Sequence, residues 1–476
     1  MANKQMIKEA VISNEVRTPK GSAELNLVDR SPKMKGASMR IYNLLPTIKN
    51  LKYSHSFFLF FCLPLLAPQA KAQDRDFAKN VIDTLCQPYF AGRGYVNDGD
   101  LKAARFIVNG FHQAGLQEFA GAKDYLQPFN MPVNTFPGKM LVKIDNKELV
   151  PGQDYIVDPV SGGCKLERLT IVYVDSLWLN QIIRGYPGKM PKKNFAIAID
   201  KKQLEKTFAD NNFEKISQLN PSAIISINDG RLIWSVGSTP IDIPFIEIKK
   251  KHIDDQNKNI ILEIDEREME HSTQNITGYV KGSVYPDSFV FLTAHYDHLG
   301  EMGDHTYFPG ANDNASGVAM LLDLARYFAK PENKPKYSIG FIAFAGEEAG
   351  LVGSKFYTDH PIVPLSNISF LMNMDLMGNG QDGMMVVNGK VFPQQYGRLV
   401  HMNDSAHYLK AIEMRGKAAN SDHYWFSERG VKAFFFYLLG NYPYYHDIYD
   451  TPDKPTMEGY DGAFRIIRDF AKSYGQ

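Results

Sequence analysis

Four continuous apolar runs of strand length mark the C-terminal part of the chain: SFVFLTA from Ser288, SIGFIAFA from Ser338, ISFLMNM from Ile368 and AFFFYLL from Ala433. A strand with one wet face alternates apolar and polar positions. These do not, so they predict strands buried on both faces. Between the first two lies ASGVAMLLDLARYFAK, where Val318, Leu321, Leu322, Ala325 and Phe328 share one helical face. This alternation predicts an α/β fold: a mixed, mainly parallel central sheet with helices on both faces.

Upstream, residues 75–120 read as helical. In DLKAARFIVNGFHQAGL, Leu101, Ala104, Ile107 and Phe111 recur at helical spacing, and Gly115 ends the run. The segment FAGRGYVNDGD before it is a glycine-rich turn. From about 130 to 270 the texture changes to short β-prone runs (KMLVKI, RLTIVYV, NFAIAI, SAIISI, DIPFIEI) around one helical patch, KQLEKTFADNNFEKISQL. A β-rich module inserted at 136–270 is expected, dividing the catalytic domain into residues 73–135 and 271–476.

The first residues have a different character. FFLFFCLPLLA at 57–67 is too short to span a bilayer; Arg40, Lys49 and Lys52 precede it and Ala70-Lys71-Ala72 follows. That layout predicts a signal peptide over 39–72 cleaved between Ala72 and Gln73, hence a secreted or periplasmic protein with no stable membrane anchor. An uncleaved anchor is the alternative. Residues 1–38 are polar and unpatterned, and translation from Met34 or Met39 would omit most of them.

Lys plus Arg and Asp plus Glu are equal at 53 each, so nothing points to nucleic acid as a partner. Of the three cysteines, Cys62 falls in the leader. Cys86 and Cys164 either pair in an oxidising compartment or stay buried as thiols.

Chemistry gathers where the buried strands end, which is where ligands collect in open α/β sheets. His295 closes a strand in H-Y-D-H, with Asp297 placed to accept the other ring N–H; a hydrogen-bonded structural histidine is the plainer alternative. His298 carries no comparable argument and reads as structural. Asp313, in G-A-N-D-N-A-S-G, suits either a carboxylate bridging two metals or a helix cap. Glu347 and Glu348 end an apolar strand where bare charge is costly, and adjacent residues of extended chain point opposite ways. One can bind metal while the other carries a proton. Asp375 follows ISFLMNM, and His446 lies in YYHDIYDTP; a turn aspartate and a surface-loop histidine are the bland readings. Together His295, Asp313, Glu348, Asp375 and His446 supply three ligands to each of two metals if Asp313 bridges.

In order and context, H-Y-D, N-D-N-A-S-G, G-E-E and M-D resemble the M28 family of zinc peptidases, which includes bacterial aminopeptidases. The resemblance covers most of the chain apart from the insert, which looks like the protease-associated module of some relatives. It implies two zinc ions, with His295 and Asp375 on one, Glu348 and His446 on the other, and Asp313 between them. It further implies Glu347 as general acid/base, Tyr445 as an oxyanion donor, and a cis peptide at Asp313–Asn314. S-D-H-Y-W-F at 421–426 is similar to a family segment near the substrate, which makes His423 a pocket residue. The expected reaction is hydrolysis of N-terminal peptide bonds of peptides or proteins by a metal-bridged hydroxide. Neither G-x-S-x-G nor H-E-x-x-H occurs, so no serine-nucleophile or zincin motif competes. Two alternatives stay open: a single-zinc glutaminyl cyclase-like acyltransferase, and an inactive binding protein on the same scaffold.

Overall fold

The structure, a computed structural model, describes residues 74–474. The expected leader, the extension before it and Cys62 lie outside the described residues. A nine-stranded sheet organises the fold. At its centre Tyr337–Phe344, Tyr285–His295, Ile368–Met374 and Ala433–Leu439 lie side by side and parallel. Antiparallel strands flank them, Arg267–Val280 on one side and Gly383–Val387 on the other. These centre strands are the four apolar runs.

Alternate residues of those strands enter two separate cores. Val290, Leu292, Ala294, Ile339, Phe341 and Ala343 pack with the helices Arg75–Leu85, Gly99–Ala114, Ser316–Ala329 and Tyr460–Lys472. Phe289, Phe291, Ile342, Phe344 and Leu371 face the other way, towards Tyr357 and Phe426 on the helices Val352–Asp359 and His423–Glu428. Both faces are dry, which is why the strands show no polar alternation.

The strand Leu126–Thr135 pairs along its length with Arg267–Val280, so the chain leaves and re-enters the catalytic sheet on neighbouring strands. Between them, residues 140–264 build a separate eight-stranded sheet. The module is β-rich, with a parallel centre. Cys164–Val174, Phe195–Asp200, Ala223–Asn228 and Phe245–Lys249 are parallel, and helices cover one face. One of these, Ser176–Ile183, follows an Asp175 cap that accepts from the Trp178 N–H; its short run was hidden among the strand-like segments. The expected helical patch is two helices, Lys201–Ala209 and Phe213–Ser217, broken where Asn211 turns into the left-handed region. Cys86 and Cys164 are free, one in the catalytic core and one in the insert. Among the described residues no helix is long and apolar enough to cross a membrane.

Close packing at the sheet centre is specific. Phe291 is opposite Gly340 in the parallel register, and a Cβ at Gly340 would sit 1.7 Å from Phe291 Cε1. Gly340→Ala should therefore overpack the core and cost about 1–3 kcal/mol. A lower denaturation midpoint at unchanged denaturant slope is the expected reading; an unshifted midpoint would mean that the Phe291 ring finds another place.

Candidate metal centre

His295 is the last residue of its strand, Asp375 directly follows Met374, and Glu347 and Glu348 lie just past Phe344. Asp313 sits in the turn Ala311–Ala315 that leads into the helix Ser316–Ala329, across a cis Asp313–Asn314 peptide. His446 comes from the long loop after Ala433–Leu439. All six side chains are buried. His295 Nε2 lies 3.4 Å from Asp313 Oδ1 and 3.4 Å from Asp375 Oδ1. His446 Nε2 lies 3.1 Å from Asp313 Oδ2 and 3.3 Å from Glu348 Oε2. Asp313 thus turns one oxygen to each histidine.

Ligand atoms of His295, Asp313 and Asp375 converge closely enough to hold one cation. A second convergence joins Asp313 and Glu348 with His298, the residue that sequence reasoning left as structural. His298 Nδ1 donates to Glu348 Oε1 at 2.9 Å, so it orients that carboxylate while His446 Nε2 faces both acids. Glu347 and Glu348 converge with His295 in a third group. The donor set fits a metal on a further observation. His295 Nε2 and Asp375 Oδ1 are buried without a hydrogen-bond partner, whereas buried polar atoms are nearly always paired.

A dense supporting network fixes these groups. His295 Nδ1 donates to the Asp297 backbone carbonyl at 3.1 Å, while the Asp297 carboxylate stands 3.7 Å from the ring. The expected carboxylate–histidine contact is therefore replaced by a carbonyl contact. The Asp297 carboxylate instead accepts the backbone N–H groups of Glu347 and Glu348, at 3.2 and 3.1 Å, and the Tyr95 hydroxyl at 2.5 Å. It pins the turn that carries both glutamates. A chain of buried bonds, Thr293 to Asn373 to Ser421 to Asp375, orients the other carboxylate.

The Asp313 turn is held from both sides. Asp450 accepts the N–H groups of Asn312 and Asp313. Arg93, wholly buried, gives its guanidinium to the carbonyls of Leu85, Tyr296, Pro309, Gly310 and Asp313. Gly310 is required here: its φ is +62°, and a Cβ would lie 2.2 Å from the Asp313 carbonyl oxygen and 2.6 Å from Arg93 Nη2.

Two further expected residues take different places. Tyr445 is half-buried, with its ring stacked on His446 at 4.0 Å. His423 opens the helix His423–Glu428 and is fully enclosed, its ring 5.5 Å from that of Phe435. Burial pushes the His423 imidazole down to about 3, so it stays neutral.

The electrostatics follow from crowding. Burial alone would lower the His446 imidazole, but the Glu348 and Asp313 carboxylates outweigh it and raise it to about 10. His295 is likewise raised against burial, by Asp375 and Glu347. Burial would raise Glu348, yet His446 and His298 hold it well below the usual carboxylate range. Asp375 is raised, because burial outweighs its attraction to His295.

Residues 275–471 match the model of peptidase family M28. This region belongs to peptidase family M28. The chain is 40% identical over 111 residues to a probable zinc metalloprotease of Pyrenophora tritici-repentis, and 35% identical over 152 residues to aminopeptidase YwaD of Bacillus subtilis. Those alignments take in 22% and 30% of this chain and span 24% and 30% of the relatives' lengths. Similarity of fold extends further. An aminopeptidase from Aneurinibacillus sp. strain AM-1 superposes with a TM-score of 0.61 at 22% identity, over 84% of this chain and 93% of that one. A zinc aminopeptidase from Bacillus subtilis gives 0.63 at 20%, over 84% and 94%. Such coverage takes in the inserted module as well as the M28 region.

Sequence reasoning missed His298, Tyr95, Arg93 and Asp450. His298 had a signal in the second histidine of H-Y-D-H, and Asp450 one in its distance from His446. The other two reach the site only through the fold. For the metal-free protein the raised His446 pKa has a direct consequence. Its proton remains bound from pH 6.5 up to about 10, and a metal must displace it. Adding zinc near pH 7.5 should release protons to the buffer, and zinc affinity should fall as pH is lowered. Calorimetry in buffers of different ionisation enthalpy reads this; zinc binding with no proton release would show that His446 is already neutral in the metal-free protein.

Proposed function

We propose that the chain is a two-zinc exopeptidase, most simply an aminopeptidase, that removes residues from the free N-termini of peptides. The observation that carries this reading is Asp313, with one oxygen 3.4 Å from His295 and the other 3.1 Å from His446. His295 and Asp375 would hold one zinc, Glu348 and His446 the other, and Asp313 would be shared. Zinc bound there supplies an acidified water and a polarised carbonyl. The support for zinc is the pairing of imidazole with carboxylate donors and the similarity to a probable zinc metalloprotease.

The chain's own groups would do the rest. Glu347 stands on the turn that Asp297 pins, beside the metal ligand Glu348 and buried enough to keep a proton out of bulk water. It would take the proton of the attacking water and deliver it to the departing amine, so that peptide and water leave as acid and amine. The Tyr445 hydroxyl would donate to the oxyanion, its ring being steadied by the stack on His446. His298 and Asp297 hold Glu348 and the glutamate turn in place. No covalent enzyme intermediate is required. Secretion is part of the same proposal and rests on the leader pattern ending at Ala72.

The test is turnover by the full chain on a panel of aminoacyl anilides with free amino groups, with and without chelator, beside Glu347→Gln. Chelator-sensitive turnover that the variant loses by about 10²–10⁴-fold is expected. Two bound zinc ions without turnover on any member would sink the aminopeptidase reading and direct attention to carboxyl-terminal peptides. One bound zinc with cyclase activity would favour the acyltransferase instead.

A further inference from the structure

The inserted module reaches the metal site. Trp234, within residues 140–264, forms a two-way backbone bridge to a metal-ligand candidate: its N–H donates to the His446 carbonyl at 2.9 Å, and its carbonyl accepts from His446 Nδ1 at 2.8 Å. The second bond sets which ring nitrogen faces Asp313 and Glu348. Nearby, Arg231 Nη2 donates to the Tyr445 carbonyl at 3.0 Å and to Asp447 Oδ2 at 2.8 Å, gripping the residues on either side of His446. The packing runs the same way. Leu299 and Phe308, which follow His295, lie in the insert's own core together with Trp234, and Ile448 packs against it. Trp234 is itself anchored, its indole N–H donating to the Val157 carbonyl and its ring 4.6 Å from that of Phe308.

We infer that the insert is a positioning element of the metal centre, holding His446 through Trp234 and Arg231 and so setting the affinity of the zinc that His446 shares with Glu348. This rests on the two-zinc reading above. His295 and Asp375 stand on strand ends and need no such help. His446 stands in a long loop at φ +55°, and its ring orientation is fixed from the other module.

Arg231 is the residue to change, since its side chain is 44% exposed and its loss leaves no cavity. Arg231→Ala should weaken one of two zinc ions by about 10-fold, the lower end for groups that orient a ligand, and leave the other unchanged. Zinc stoichiometry against a graded series of chelators reads this directly. The turnover number should fall with little change in KM, and Arg231→Lys should recover part of the zinc affinity. Lys143→Ala, which removes an exposed ion pair with Glu148 in the same module, should alter neither. Two zinc ions held as tightly by Arg231→Ala as by the unaltered chain would overturn the inference. Equal weakening of both ions with a fall in thermal stability would overturn it too, as a general loosening of the fold. Failure of the unaltered chain to bind two zinc ions would instead count against the functional reading on which the inference rests.

Discussion

Four carboxylates, those of Asp313, Glu347, Glu348 and Asp375, are gathered in one buried place, and the rest of the architecture answers that concentration of charge. Removing a carboxylate from water costs several kcal/mol unless positive charge or hydrogen bonds replace the solvent. The structure provides both. His295 and His446 stand between the acids, backbone N–H groups point at Asp297 and Asp450, and Arg93 lies beneath the Asp313 turn with every donor spent on carbonyls. Even so, Asp375 Oδ1 and His295 Nε2, 3.4 Å apart, keep no hydrogen-bond partner. A site whose four carboxylates outnumber its two facing histidines, with ligand atoms converging, suits a cation.

The sheet makes such a gathering possible. Parallel strands end at the same edge, so residues far apart in sequence meet there without long loops. Thr293 and Asn373 are register partners on adjacent strands, and their hydrogen bond begins the chain that ends on Asp375. Burial of both sheet faces makes the edge rigid. Alternate side chains lock into two separate cores, and a shift of one strand would have to disturb both. Rigidity matters because ligand geometry tolerates displacements of only about 0.5 Å.

Legibility in the sequence divides along the same line. Near-continuous apolar runs were legible because burial on both faces removes the polar alternation of a strand. The candidates His295, Asp313, Glu348, Asp375 and His446 could be picked out because each stands at the end of such a run, in a glycine-flanked loop or in a loop rich in Pro and Tyr. The insert was legible as a change of texture with one helical patch, but the helix Ser176–Ile183 was not, since it is short and mostly apolar. The role of Asp297 was misread for a geometric reason. Two residues from His295 it looks placed to touch the ring, yet the chain turns so that its carbonyl does, and its carboxylate caps the neighbouring glutamate turn. Arg93, Tyr95 and Trp234 left no trace, because their partners in the site lie far away in sequence and are mostly backbone atoms that no side-chain pattern records.

The two halves of the centre are therefore built on unlike foundations. One histidine and its carboxylate rise from adjacent strands of one sheet, and their alignment is settled once that sheet forms. Opposite them, the other histidine hangs on a loop whose neighbours, Tyr445 and Asp447, bond to Arg231 in a loop of the inserted module. Its alignment is settled only when two cores, folded around different hydrophobic clusters, have docked. A module that entered the chain between neighbouring strands thus does more than decorate the fold. Its Trp234 carbonyl decides which nitrogen of His446 turns toward Asp313, and through that shared carboxylate the two halves are joined.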